Sequence, residues 1–211
     1  MRKLSIFIYG ILGGMCISIG GAAFLSVESK IAGALFFAVG LFVICTFGFF
    51  LFTGKVCYVF ENDGAYAINL IVIWLGNLLG AWLTGEALRM TRLTALAERA
   101  MSLCETKLGD GLWSVFILAI FCNILIFVAV DGYKNNPHEL GKYLALILGV
   151  SVFIVCGFEH CVANMFYISV AGAWSGKALL FIAVNTLGNA VGGVLIPLLR
   201  RLCAGKKEVM I

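Results

Sequence analysis

The chain has 211 residues, 62% of them hydrophobic and only 12% charged, and its mean hydropathy is +1.06. At about 20 residues per spanning helix, six or seven spans take up nearly the whole length, which excludes a nucleic-acid binder and a soluble enzyme on a membrane anchor. The formal charge of +4, from 15 Lys and Arg against 11 Asp and Glu, is too small and too scattered to point to a polyanionic partner.

Charged side chains are costly in hydrocarbon, so the runs between them mark the spans. The first run, residues 4–27, follows Met1, Arg2 and Lys3; it is long and has no polar cleavage region, so it reads as a span rather than a signal peptide. The second, residues 31–60, is interrupted only by Lys55 and is too long for one helix and too short for two. Residues 64–85 and 111–130 are ordinary third and fourth spans. Residues 143–176, interrupted only by Glu159 and His160, repeat the awkward length of the second run, and residues 178–199 form the sixth span. A helix that enters, breaks near the midplane and continues fits both long runs, and such a break is tolerated only where the loosened backbone is buried or lines a cavity. In the first break Gly54 is expected to permit the turn.

An internal repeat supports this division. Leu75-Gly76-Asn77-Leu78-Leu79-Gly80 in span three matches Leu187-Gly188-Asn189-Ala190-Val191-Gly192 in span six. Glycines four apart let helices approach closely, and their matched placement points to duplication. Three spans per half put the copies in opposite orientation, giving one domain of inverted halves, about 1–100 and 101–211, with a pathway between the two broken spans. With both termini cytoplasmic, nine basic residues fall inside and six outside, and Arg200, Arg201, Lys206 and Lys207 form a cytoplasmic anchor. The eight cysteines lie almost wholly in apolar runs without paired metal-ligand spacing and read as reduced packing residues.

The sharpest chemical signal is His160, an ionisable group at the break of an apolar span, where it is expected to face a cavity or a proton path. Thr53, a hydroxyl near membrane depth in the first break, is its candidate partner across the pore axis. An intramembrane enzyme built on Glu159, His160 and Cys161 is disfavoured, because adjacent helical residues point in different directions. No second His lies at membrane depth to complete a metal site, since His138 falls in a loop. A neutral-solute pore of the aquaporin type lacks its paired Asn-Pro-Ala signatures here: Pro137 precedes His138 and Pro197 follows Ile196.

Three motifs together resemble the formate/nitrite transporter family, which includes hydrosulfide channels. They are Gly157-Phe158-Glu159-His160 with Ala163-Asn164-Met165-Phe166, Leu51-Phe52-Thr53-Gly54, and Thr186-Leu187-Gly188-Asn189 with Gly192-Gly193. The resemblance covers essentially the whole chain, and the His motif is the specific one. It implies an all-α, aquaporin-like protomer of six transmembrane helices with the second and fifth broken. It also implies a homopentamer in the lipid of a bacterial inner membrane, one substrate pore per protomer, no cofactor, no metal, no catalysis and no nucleic-acid partner. Carried over by motif, Thr53 and His160 are the central pore pair, and Leu51 and Phe52 lie on the loop of the first broken helix. Phe37, Leu41 and Phe153 match apolar constriction positions, Asn123 resembles an Asn that hydrogen-bonds near the central His, and Glu159 and Asn164 support the His motif. Lys107 and Lys142 fall where relatives carry vestibule lysines, one near each mouth; by themselves they read as ordinary interfacial lysines. Two departures stand out. Phe50 occupies a place where many relatives have an acidic residue. Little sequence precedes span one and the turn at 171–177 is compact, so gating by an N-terminal segment under acid is not expected to carry over.

The physical problem such a pore solves is moving a small monovalent anion past two apolar collars, where lost hydration costs several kcal/mol. Lysines at the mouths raise the local anion concentration, and the central His offers either a positive charge or a hydrogen bond. Passage of the anion beside protonated His160 and passage of the neutral acid are both open at this level; a single titratable group between apolar collars favours pH-dependent weak-acid transport. Formate leads the candidates by family frequency, with nitrite and hydrosulfide as alternatives.

Overall fold

The computed structural model describes residues 2–204, and the regular structure of those residues is entirely helical. Six helices are long and apolar enough to cross a membrane: α1 (Lys3–Ser26), α2 (Lys30–Phe47), α4 (Gly64–Arg89), α6 (Leu112–Asn135), α7 (Glu139–Cys156) and α9 (Gly176–Ala204). Between them lie α3 (Phe52–Lys55), which runs into a 3-10 turn at Val56–Glu61, α5 (Thr94–Gly109) and α8 (Cys161–Ala171). Helix is the natural outcome for such apolar runs, because hydrocarbon offers no partner to backbone N–H and C=O groups. Ser29 and Asp63 start α2 and α4 by accepting from the amides of Ala32 and Tyr66 at 3.4 and 3.0 Å.

Both long runs stop being helical in the same way. Gly48 ends α2 with φ +70°, and Gly157 ends α7 with φ +73°. The amide that follows each glycine then bonds back across the turn, Phe49 to the Ile44 carbonyl at 3.0 Å and Phe158 to the Phe153 carbonyl at 2.9 Å. Gly48 therefore makes the turn expected of Gly54, which lies inside α3 with a helical backbone. Three non-helical residues follow each glycine before α3 and α8 begin, the last of them, Leu51 and His160, with extended backbone.

The repeated glycines set the packing. A Cβ on Gly76 or Gly80 would lie 2.6 Å from the Phe7 carbonyl oxygen or 2.1 Å from that of Ile11. On Gly188 or Gly192 it would lie 2.5 Å from the Phe116 oxygen or 2.1 Å from that of Ile120. α4 thus runs parallel to α1, and α9 parallel to α6, with backbones in contact. α2 lies antiparallel on α1 and α7 antiparallel on α6, again through small residues at Gly40 and Gly149. The starts of α4 and ends of α6 and α9 share one side: the Tyr66 hydroxyl donates to the Lys55 carbonyl, while Asp131 accepts from Tyr58 and Arg200. The two groups of three long helices consequently cross in opposite senses. Arg201 donates to the Phe60 carbonyl at the same end, and Lys206 and Lys207 lie outside the described residues.

α5 has no counterpart in the reading of charge-free runs. It buries Leu96, Ala100 and Cys104 at four-residue spacing, leaves Glu98, Arg99 and Glu105 exposed, and packs on α8. Arg99 donates to the Leu25 carbonyl at 2.8 Å, satisfying a group at the end of α1. Outside, the molecule is strongly apolar, with Leu4, Ile31, Phe36 and Leu179 among the exposed side chains. The eight cysteines are all free thiols.

Candidate functional site

Extended backbone at membrane depth needs partners, and two asparagines supply them in matching fashion. Asn77 of α4 accepts from the Phe52 amide at 2.8 Å and donates to the carbonyls of Phe50 and Gly10 at 2.9 and 2.7 Å. Asn189 of α9 accepts from the Cys161 amide at 2.9 Å and donates to the carbonyls of Glu159 and Ala119, both at 2.8 Å. Each side-chain amide clamps the two peptide groups that flank one residue, Leu51 in the first break and His160 in the second. Both asparagines are fully buried, and all of these bonds are made away from solvent except the one to the Phe50 carbonyl, which is part-buried. Both asparagines stand in the sequence repeat, where the glycines alone carry the packing argument. The signal available was a polar amide at the same place in both copies, inside runs that exclude charge.

The clamps bring the two break residues of interest together. Thr53 Oγ1 and His160 Nε2 lie 3.0 Å apart, with both residues buried. On its other edge, His160 Nδ1 accepts from the Ala163 amide at 3.1 Å, which makes His160 the N-cap of α8. An amide N–H can only donate, so Nδ1 carries the lone pair and the ring proton of neutral imidazole sits on Nε2. Nε2–H therefore donates to the Thr53 oxygen, and the Thr53 hydroxyl proton is left to point elsewhere. Asn123 supports this from α6: its Nδ2 donates to the Thr53 carbonyl at 3.1 Å and to the Asn189 carbonyl at 2.7 Å. It thus holds the Thr53 peptide rather than the His160 ring, and its Oδ1 is buried without a partner among the described residues.

Apolar side chains surround the pair. The Phe153 ring stacks on His160 with centroids 5.6 Å apart and meets Phe37 edge-on at 5.8 Å. Leu41 and Leu51 line a cavity of about 810 Å³ at the side where α4 starts. Phe52 is buried in the same core cluster and, like Phe37 and Phe153, lies outside the lining of that cavity.

The candidate lysines have different surroundings. Lys142 lines the cavity but is paired with Glu139. Lys107, on α5, reaches Glu159 Oε2 at 2.6 Å, and the same oxygen accepts from Asn164 Nδ2 at 2.6 Å. Those two side chains are 13% and 5% exposed, so Lys107 here neutralises a buried carboxylate. The Glu159 and His160 side chains go to different partners, Lys107 and Thr53, and among the described residues no group of three or more His, Cys, Asp and Glu could hold a metal.

A family model described as formate/nitrite transporter matches residues 1–201. The chain is similar to the formate channel FocA of Haemophilus influenzae, at 27% identity over 79% of this chain and 66% of that protein. It is also similar to the transporter YrhG of Bacillus subtilis, at 29% identity over 97% of this chain and 86% of that one. It therefore spans about two thirds of the length of the former and most of the latter. Among solved structures it is similar to a pentameric formate channel with formate bound, with a TM-score of 0.78, 26% identity, and coverage of 97% of this chain and 98% of that chain.

Proposed function

Because the chain belongs to the formate/nitrite transporter family, a family of membrane transport proteins rather than enzymes, we propose that it passes small monovalent weak acids, formate foremost, across the membrane between its two halves. The observation that carries this reading is the buried Thr53–His160 bond of 3.0 Å, with the Ala163 amide occupying the other ring nitrogen. A ring held in this way is neutral, and protonating it sets one N–H against another. It offers the substrate a polarised donor, the Thr53 hydroxyl, backed by Nε2–H. The start of α8 adds the positive end of a helix dipole. None of these supplies a full charge, so an anion stripped of water between Leu51 and Phe153 is left uncompensated. The neutral acid has no such penalty. Formate accordingly concentrates at the mouth as an anion, takes up a proton from the water of the mouth as it is dehydrated at the collar, crosses as formic acid hydrogen-bonded to Thr53 and, on its way past, to the Asn123 amide oxygen, and returns the proton to water on the other side.

In the same reading the central pair is Thr53 and His160, Phe37, Leu41, Leu51 and Phe153 form the collars, and Asn123 orients the pair. The matched glycine turns, matched asparagine clamps and opposite crossing senses support an inverted repeat within one domain. The likeness to a pentameric formate channel supports a homopentamer, placed in a bacterial inner membrane with both termini cytoplasmic. The test is flux of formate, nitrite and hydrosulfide into proteoliposomes over a range of pH, for the native protein and for His160→Asn. Selective flux that rises as pH falls and changes in the variant is the expected result. An unchanged rate and pH profile in His160→Asn would sink the weak-acid mechanism.

A further inference from the structure

The asparagine clamps allow the two breaks to be superposed residue by residue. The carbonyl held by Asn77 belongs to Phe50 and that held by Asn189 belongs to Glu159; the amides belong to Phe52 and Cys161. Phe50 thus stands where the second break has Glu159, and Lys55, five residues on, stands where it has Asn164. In the second break that pair is a carboxylate accepting from an amide, with Lys107 added as counter-charge. In the first break it is the Lys55 ammonium over the Phe50 ring, 4.7 Å from the centroid. An aromatic face steadies a cation without cancelling its charge.

No carboxylate among the described residues pairs with Lys55, in contrast to Lys107 and Lys142. Lys55 is half-buried, two residues beyond Thr53 on α3, and lines the same cavity of about 810 Å³ as Leu41 and Leu51. The other charged groups of that cavity are Lys134, Lys142, Glu61 and Glu139, of which Glu61, Lys134 and Glu139 are exposed at its rim. We propose that Lys55 is the specificity-determining cation of this mouth, the charge that gathers small anions at the Leu41 and Leu51 collar, and that Phe50 is what leaves it unneutralised. This rests on the weak-acid pore proposed above, but its electrostatic part is measurable without any flux.

The cavity contains its own probe. Cys45 is half-buried and lines the cavity with Lys55, whereas Cys156 and Cys203 are exposed and the remaining thiols are buried. With Cys156 and Cys203 changed to Ser, Cys45 is reacted with an anionic sulfonatoethyl and a cationic trimethylammonioethyl methanethiosulfonate. The ratio of the two rates reads the local potential, because the thiolate fraction cancels. We expect the anionic reagent to react faster in the native site and its advantage to fall about threefold or more in Lys55→Met. The same fall is expected in Phe50→Glu, which keeps the lysine but cancels it, while Lys55→Arg retains the native ratio. The two variants that lose the ratio should also need several-fold more formate for half-maximal flux from this side. An unchanged ratio in Lys55→Met, or a native protein without anion preference, overturns the proposal. A changed ratio with formate flux unaltered overturns the role in specificity. A ratio that falls as expected in a protein carrying none of the three acids upholds the charge assignment and defeats the transport reading instead.

Discussion

Replacing Asn189 by Ala tests whether side-chain amides, rather than the helix ends themselves, hold the breaks in place. The substitution removes three buried hydrogen bonds at once: one accepted from the Cys161 amide and two donated to the Glu159 and Ala119 carbonyls. The Ala119 carbonyl keeps its bond within α6, so two buried groups are orphaned at about 1–3 kcal/mol each and the loss is about 2–6 kcal/mol. For a chain of this length that lowers the unfolding midpoint by about 5 °C or more. Asn77→Ala removes the same three bonds from the first break and should cost the same. The assay is thermal unfolding of the purified protein in detergent, followed by intrinsic Trp fluorescence at a fixed scan rate. If either variant unfolds within about 3 °C of the native protein, a shift of about 1 kcal/mol, the clamps are ornaments on a turn already fixed by Gly48 or Gly157.

Gly80→Ala and Gly192→Ala each place a methyl 2.1 Å from a carbonyl oxygen and should destabilise by at least about 2 kcal/mol, whereas Gly64→Ala, with nothing within 4 Å, should change thermal unfolding by less than about 0.5 kcal/mol. Lys107→Met leaves Glu159 charged, buried and unpaired, at a cost of about 3–5 kcal/mol in the same assay, and adding Glu159→Gln should recover most of it. Thr53→Val keeps the shape but removes the hydroxyl that receives the His160 proton, so formate flux in proteoliposomes should fall about 10- to 100-fold, while Thr53→Ser retains most of it.

The membrane spans were legible because one rule, the cost of charge in hydrocarbon, dominates everything else in such a chain. That rule locates a helix better than it locates its ends: α7 begins at Glu139 rather than at 143, and α6 runs to Asn135, because charged residues at the interface are perfectly good helix formers. The same rule hid α5, whose charges at Glu98, Arg99, Glu105 and Lys107 break the apolar run although its buried face is continuous. Total length betrayed the two breaks, yet the glycine that turns the first one is Gly48, since a positive φ is a property of backbone geometry that composition does not reveal. The approach of Thr53 to His160 was expected from motifs; their hydrogen bond spans 107 residues and depends on three separate helices. Partners of single charges were beyond reach, because whether Lys107 or Lys55 stands alone is decided by which helix faces it.

The asparagine clamps grip main chain, not side chain, at the two breaks. What they fix is the position of peptide groups around Leu51 and His160; the His160 ring is itself a brace of that frame, whereas the Leu51 side chain hangs from it without a polar bond. Filter and scaffold are thereby decoupled at Leu51. Exchanging Leu51 for another apolar residue of similar volume should retune which solute fits while leaving the unfolding temperature of the molecule nearly as it was, so that a single backbone can be re-lettered for a different passenger.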